Sequence, residues 1–428
     1  MEKTFERGVY LPHYKESTDQ SPVQELPLPK QLVIPMRQHI GAPNTPLVKV
    51  GDKVTAGQKV GDSQAFVSAP VHSGLSGTVS AVEQRIALSG QEVECVVVDV
   101  NEKQTAAKGK KRDISKLSND ELRKLIREAG IIGMGGAAFP AHVKLDPPKP
   151  IEYLIINGCE CEPFLTCDHR TMLEEIDEMI EGARLDAKLV GSKKIIFGVE
   201  TNKIDAIELL EEKLKDEPDM EVTPVAVKYP QGSEKQLIYA TVGRSVPPGK
   251  LPFDIGVVVQ NVASVVAVYN AVYYGQPSTE RIVTFTGHSA GKPGNYRVVV
   301  GTPISHIIEH AGGLKEDVAR VIAGGPMTGT AQATLDAPTD KGCGGIVALN
   351  SEVAATPVKH LPCVRCAKCV DHCPMFLYPN YISTYGEGGN YDKAKQWGAE
   401  DCFECGICAY VCPSSRPIVE YVRRAKQA

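Results

Sequence analysis

Eight of the thirteen cysteines fall in two tight runs toward the end of the chain. The first run is Cys363-x-x-Cys366-x-x-Cys369-x-x-x-Cys373-Pro374, and the second is Cys402-x-x-Cys405-x-x-Cys408-x-x-x-Cys412-Pro413. Three thiolates on one compact loop bind three corners of an iron–sulfur cubane, and a distant fourth closes it. Zinc sites usually present two pairs of ligands, and a disulfide framework belongs to secreted chains. Met1–Glu16 is charged and lacks an apolar run, so no secretion signal is expected and the thiols are placed in a reducing cytoplasm. The chemistry implied is transfer of single electrons at two 4Fe–4S clusters.

Each run matches the spacing of bacterial ferredoxins, in which the fourth cysteine ligates the other cluster. The resemblance implies one cluster on Cys363, Cys366, Cys369 and Cys412, and another on Cys402, Cys405, Cys408 and Cys373. A second motif is Gly130-Ile131-Ile132-Gly133-Met134-Gly135-Gly136-Ala137-Ala138-Phe139-Pro140. Successive glycines let backbone N–H groups approach a phosphate or a flavin edge with no Cβ in the way. Three further pieces fall at expected strand ends: Asn157-Gly158-Cys159-Glu160-Cys161-Glu162-Pro163, Tyr229-Pro230-Gln231-Gly232-Ser233-Glu234, and Gln260-Asn261. In an open α/β sheet, ligands bind outside the carboxyl ends of the strands.

The elements that must position these motifs form four modules, a multidomain α/β organisation. Within the first module, residues 1–110, residues 28–100 show short β-like runs with two Val-Gly-Asp echoes at Val50 and Val60, joined by turns. They resemble a biotinyl/lipoyl-type barrel-sandwich module behind an N-terminal extension. Where that family places its carrier lysine, this chain has Asp62-Ser63-Gln64-Ala65-Phe66, so a structural module without an attached carrier is expected. A charged linker, Asn101–Lys111, precedes residues 111–278, which read as a Rossmann-like α/β domain. Ser118 and Glu121 form a capping box there. Strands are expected at Ile151–Ile156, Lys194–Val199, Val222–Val227 and Ile255–Val259, and helices at Leu173–Leu185, Lys203–Lys215 and Ser264–Tyr273. That alternation predicts a largely parallel sheet. Residues 279–335 resemble a small β-grasp domain of the soluble-ligand-binding (SLBB) type. A linker within the Gly-rich stretch Gly324–Gly345 leads to the ferredoxin-like segment, the last module spanning residues 336–428.

The net charge of −5 gives no basis for a nucleic-acid partner. The best apolar span, Ile255–Tyr274, is interrupted by Gln260, Asn261, Ser264 and Asn270, which are costly in lipid, so a strand and buried helix are expected.

The motif order resembles the NADH-binding flavoprotein subunit of respiratory complex I. With the barrel-sandwich module in front and the double ferredoxin run behind, nearly the whole chain resembles the family of C subunits of the Rnf electron transport complex. Asn157–Arg170 carries the likeness most closely. The resemblance implies a non-covalent FMN wrapped by Gly133, Gly135, Gly136, Ala137 and Phe139, with Lys144 at the FMN phosphate or the nucleotide. It also places Asn157, Glu160, Glu162, Gly232 and Glu234 near the flavin and Asn261 on the phosphate side. No side chain is required as a general acid or nucleophile; NADH would pass its electrons through FMN to the two clusters. Partners implied are integral-membrane Rnf subunits, a ferredoxin-like iron–sulfur subunit, and ferredoxin indirectly. The expected location is peripheral, on the cytoplasmic side of the bacterial inner membrane, in an ion-translocating oxidoreductase. The alternatives are a soluble cobalamin reductase of propanediol-utilisation compartments and a flavin-less electron-transfer adapter. The complex I loop differs at Met134 and Ala138, its acidic loop at Cys159, and its paired glutamate at Ser233. Cys159, Cys161 and Cys167 fit no standard cluster and read as small buried thiols; Cys95 and Cys343 read as packing residues. His39, His72, His169 and His288 lie beside turns and read as hydrogen-bonding structural residues, with His169, inside the matched motif, a modest exception.

Overall fold

The computed structural model describes residues 2–104, 109–354 and 360–428; part of the charged linker, residues 105–108, lies outside them. The N-terminal module contains β1 (Val23–Glu25), β2 (Gln31–Pro35), β3 (Thr45–Pro46), β4 (Lys53–Val54), β5 (Lys59–Asp62), β6 (Val71–His72), β7 (Gly77–Ile86) and β8 (Glu92–Val100). Sheets β2-β8-β7-β4 and β3-β5-β6 enclose Leu32, Ile34, Val60, Val71, Val79, Val96 and Val98. Side chains alternate across a strand, so Cys95 and Val97 of β8 meet Val33 on the opposite face. Cys95 is therefore a packing residue.

The next unit begins with α1 (Asn119–Glu128), where the Ser118–Glu121 capping box is formed in both directions. After α2 (Ala141–Lys144) come β9 (Tyr153–Gly158), α3 (Cys167–Glu174), α4 (Ile176–Val190), β10 (Lys194–Glu200), α5 (Ile204–Leu214) and β11 (Met220–Val225). Then follow α6 (Glu234–Val242), β12 (Val257–Asn261) and α7 (Val262–Tyr274). The sheet has the order β11-β10-β9-β12, with every pair parallel. Its strands are buried on both faces, as their near-continuous apolar runs require. Leu154, Ile156, Phe197 and Val258 join one core, whereas Ile155, Ile196, Val257 and Val259 join the other. The expected helix Leu173–Leu185 is two helices, α3 and α4, which meet at Glu175 where the backbone leaves helical geometry (φ −126°, ψ 33°).

β13 (Glu280–Thr286), β14 (Gly294–Val299), α8 (Ile304–His310), β15 (Val318–Ala323), β16 (Thr330–Ala331) and β17 (Gly345–Asn350) build the third unit. The sheet runs β1-β14-β13-β17-β15-β16, so it borrows β1 from the N-terminal segment. β17 lies beyond residue 335, where the sequence places the end of this unit; the Gly-rich stretch leads back into the sheet before the cysteine runs begin. Cys343 is buried in the core that Ile304, Ile307 and Ile308 of α8 make with the strands.

The last unit has α9 (Lys368–Asp371), α10 (Pro379–Glu387), α11 (Tyr391–Gln396), α12 (Ile407–Tyr410) and α13 (Ile418–Gln427). An N-terminal arm ties it to the parallel-sheet unit. Val9 bridges Tyr229, the Gly8 amide donates to the His372 carbonyl (3.1 Å), and the Arg7 guanidinium donates to the Val370 carbonyl (2.8 Å). Among the described residues, no helix is long and apolar enough to cross a membrane.

Candidate redox sites

The eight cysteines of the two runs converge in two groups of four. One pocket is lined by Cys402, Cys405 and Cys408 together with Cys373, and walled by Leu377, Ile382 and Val422. The other is lined by Cys363, Cys366 and Cys369 together with Cys412, beside Pro413 and Ile418. Each pocket thus takes its fourth thiol from the opposite run. Residues between the ligands adopt left-handed backbone angles (Arg365, Ala367, Glu404 and Gly406), which curls each loop around its pocket. Burial pushes the Cys369 thiol up to about 11, and its three pocket neighbours add to this. Burial likewise pushes Cys405 up to about 12, with Cys402 and Cys373 adding. Four thiolates this close need a compensating cation, which bound iron supplies by displacing the protons. The donor set fits a four-cysteine cluster in each pocket.

The glycine loop is closed at its base by Gly133 N donating to the Phe139 carbonyl (2.8 Å) and Ala141 N donating to the Ile131 carbonyl (3.0 Å). Ser264 of α7 fixes its near side, accepting from Met134 N (2.8 Å) and donating to the Ile132 carbonyl (3.1 Å). Gly135, Gly136 and Ala137 stand exposed at the tip. A Cβ on Gly135 would lie 2.7 Å from the Asn261 amide nitrogen, whereas one on Gly136 would meet nothing within 4 Å. Asn261 is itself anchored at both ends of its amide: its oxygen accepts from Ala263 N (2.9 Å) at the start of α7, and its nitrogen donates to Asp168 (2.7 Å). The tip therefore lies over the carboxyl end of β12 and the positive end of a helix, an arrangement that suits an anionic, planar ligand. These residues fit FMN.

The remaining predicted residues surround that end of the sheet. Asn157 pairs in register with Asn261, and its side chain donates to the Gly232 carbonyl (2.8 Å). Gly232 packs over Cys159 and Cys161, where a Cβ would be 3.2 Å from Cys159 Cβ. Lys144 and Glu234 form an ion pair of 2.8 Å on a part-exposed surface. Phe139 is half-buried at the loop's return. Glu160 and Glu162 are engaged with backbone. Glu160 accepts from Asp168 N (2.7 Å) and His169 N (3.3 Å) at the head of α3. Glu162 accepts from Met327 N (3.1 Å) and Thr328 N (2.9 Å), holding the Gly-rich stretch against this unit.

Several residues here went unnamed in the sequence. Asp168 is buried under Asn261, and burial followed by the Glu160 charge pushes its carboxyl up to about 6. Lys15 donates to the Glu160, Glu162 and Leu165 carbonyls from the N-terminal arm. Lys203 donates to the Cys159 carbonyl (2.6 Å) and pairs with buried Glu200 (3.4 Å). Tyr229 donates to the Cys405 carbonyl (2.7 Å), joining the flavin end of the sheet to a cysteine pocket. Asp168, inside the Asn157–Arg170 stretch, and Tyr229, at the head of the Tyr229–Glu234 motif, had a sequence signal; Lys15 and Lys203 had none. His169 contacts Asp205 (2.7 Å) and His39 accepts from Ala69 N (3.0 Å).

Comparison with known proteins assigns all four units. Residues 126–270 match the Nuo51 FMN-binding domain, and residues 3–103 match the RnfC barrel sandwich hybrid domain. Residues 282–331 match the SLBB domain and 358–413 a 4Fe-4S dicluster domain. The chain is 42% identical over 430 residues to the C subunit of the Na(+)-translocating ferredoxin:NAD(+) oxidoreductase complex of Acetobacterium woodii, covering 99% of this chain and 96% of that protein. It is 41% identical to the proton-translocating counterpart of Clostridium ljungdahlii, covering 100% and 94%. It is 38% identical to the C subunit of the ion-translocating oxidoreductase complex of Pectobacterium carotovorum, covering 99% of this chain and 57% of that protein. An NAD+-reducing [NiFe]-hydrogenase structure shares the fold at a TM-score of 0.50 and 22% identity, over 64% of this chain and 54% of that one.

Proposed function

The chain belongs to the family of C subunits of ion-translocating oxidoreductase complexes, and from that premise we propose that it is the NADH-oxidising subunit of such a complex. It is an electron-transfer subunit with FMN-binding and 4Fe–4S domains. In the proposed reading it sits peripherally on the cytoplasmic side of the membrane, against integral-membrane subunits and a ferredoxin-like iron–sulfur subunit. When bound, FMN exchanges a two-electron hydride for single electrons, which 4Fe–4S clusters carry one at a time. The tip amides of Gly135, Gly136 and Ala137 would hold the ring system, with Asn261 at the head of α7 on the phosphate side and Lys144 offsetting phosphate charge.

The observation that carries this reading is the contact between the two kinds of site. Tyr229 and Gln236 of the flavin unit donate to the Cys405 and Pro374 carbonyls (2.7 and 3.1 Å), so the pocket of Cys373, Cys402, Cys405 and Cys408 is the inner one. The pocket of Cys363, Cys366, Cys369 and Cys412 is the outer one, with Cys366 exposed and Val364 65% exposed beside it. With the groups bound, the outer pocket would be the exit for electrons that enter at the flavin.

The test is anaerobic mixing of the FMN- and iron-loaded chain with NADH. Flavin bleaching followed by cluster reduction in the electron paramagnetic resonance spectrum is expected. A bound flavin that NADH leaves oxidised would overturn the assignment of the electron donor.

A further inference from the structure

In lipoyl-type modules the loop between β5 and β6 carries the mobile prosthetic arm, yet here it is pinned down. Asp62 takes a two-pronged contact from Arg127 of α1 (2.9 and 2.7 Å), and Arg127 also donates to the Ser63 carbonyl (2.7 Å). Lys59 pairs with Asp62 (2.9 Å) and with Glu128 of α1. Burial is outweighed by these partners, which hold the Asp62 carboxyl down at about 2. Ser68 closes the loop on itself, donating to the Ala65 (2.6 Å) and Ser63 (3.2 Å) carbonyls. The loop is thus a fixed ledge on the flavin unit.

That ledge meets the rim of the glycine loop. Ile40 N donates to the Ala138 carbonyl (3.2 Å), Ala42 N donates to the Val67 carbonyl (3.2 Å), and the His142 ring of α2 lies against the Phe66 carbonyl. Gly41 between them runs so close to Val67 that a Cβ would be 2.1 Å from its carbonyl oxygen. The ledge nevertheless leaves two large apolar side chains in water, Phe66 at 75% exposure and Ile40 at 50%. Two large apolar side chains left exposed on a pinned segment beside an open ligand loop mark a binding surface.

A dinucleotide offers two flat rings. Hydride transfer requires the nicotinamide to lie on the flavin, which leaves the adenine to find a surface at the rim. We propose that Phe66, on the same rim as exposed Ile40, is the platform on which the adenine of the dinucleotide stacks. The barrel-sandwich unit has then exchanged a carrier arm for part of a substrate site. The inference rests on the NADH reading of the flavin site.

The experiment uses the full chain, loaded with FMN and clusters. Aromatic–base stacking lost to alanine weakens binding roughly 5- to 100-fold. Phe66→Ala should raise KM for NADH by such a factor, with kcat and the KM for reduced nicotinamide mononucleotide (which lacks the adenine) little changed. Phe66→Trp should retain tight binding. A purely structural role would shift both substrates together and would overturn the proposal. Calorimetric titration with ADP-ribose separates this inference from the NADH reading, because it needs no turnover. Binding that weakens in Phe66→Ala supports the platform even if NADH fails to bleach the flavin. Equal binding in both proteins, or no binding in either, refutes it.

Discussion

Replacing Cys373 with alanine tests the exchange of ligands between the two cysteine runs. Cys373 belongs to the first run in sequence, but it lines the pocket of Cys402, Cys405 and Cys408. Its loss should therefore remove the inner cluster, halving the iron from about eight to about four per chain. The outer set, Cys363, Cys366, Cys369 and Cys412, stays complete, so its resonance signal should persist on chemical reduction. The consequence for electron flow follows from the Tyr229–Cys405 contact, which makes the inner pocket the neighbour of the flavin unit. In Cys373→Ala, NADH should bleach the flavin while the outer cluster stays oxidised. Cys412→Ala should behave oppositely, keeping an NADH-reducible inner cluster and losing the exposed one. The measurements are iron content, low-temperature resonance after dithionite, and the same spectrum after NADH. Cys373→Ala should then match Cys405→Ala in all three. A Cys373 variant that matches Cys366→Ala instead would show that each run binds its own cluster.

Two further perturbations probe the flavin loop and the junction of the units. Gly135→Ala places a Cβ 2.7 Å from an Asn261 side chain that Ala263 and Asp168 hold still, an overpacking cost of about 1–3 kcal/mol that FMN titration should read as roughly 10- to 100-fold weaker binding. Gly136→Ala meets no protein atom within 4 Å, so fluorescence titration should show weakened FMN binding with unchanged melting; a Gly135 variant with unaltered FMN affinity would refute the assigned loop geometry. Lys341 is buried, donating to the Pro70 and Gly130 carbonyls (2.7 Å each), and burial pushes its ammonium down to about 7. An unfolded lysine keeps its proton up to about pH 10.4, so above pH 7 the unfolded chain binds more protons and stability rises by up to about 1.4 kcal/mol per pH unit. This contribution is fully present above that unfolded value and fully lost below about 7. Between pH 7 and 9 the native chain should gain about 2–3 kcal/mol over Lys341→Met in urea unfolding, and a constant difference would refute the burial argument.

What could be read from the sequence is what local spacing determines. The cysteine runs specify their loops, the Ser118–Glu121 box specifies where α1 starts, and the strand runs specify a sheet whose carboxyl ends carry Asn157 and Asn261. The pairing partner of β1 and the place of β17 in the same sheet depend on contacts hundreds of residues apart, or on a Gly-rich stretch with no alternation to read. The acidic loop shows the same limit at the level of atoms. Its spacing puts Glu160 and Glu162 beside the flavin end of the sheet, but the atoms they hold are amides of α3 and of Met327–Thr328. Nor does any motif announce the N-terminal arm, because Arg7, Val9 and Lys15 acquire their roles only from backbone groups supplied by two other units. This arm has a physical consequence for electron transfer. A ferredoxin-like unit on a free linker would present its clusters to the flavin at varying distance, whereas Arg7, Gly8 and Tyr229 fix its inner pocket against the sheet. The same chain segment that looks like an extension in the sequence is what sets the gap an electron must cross.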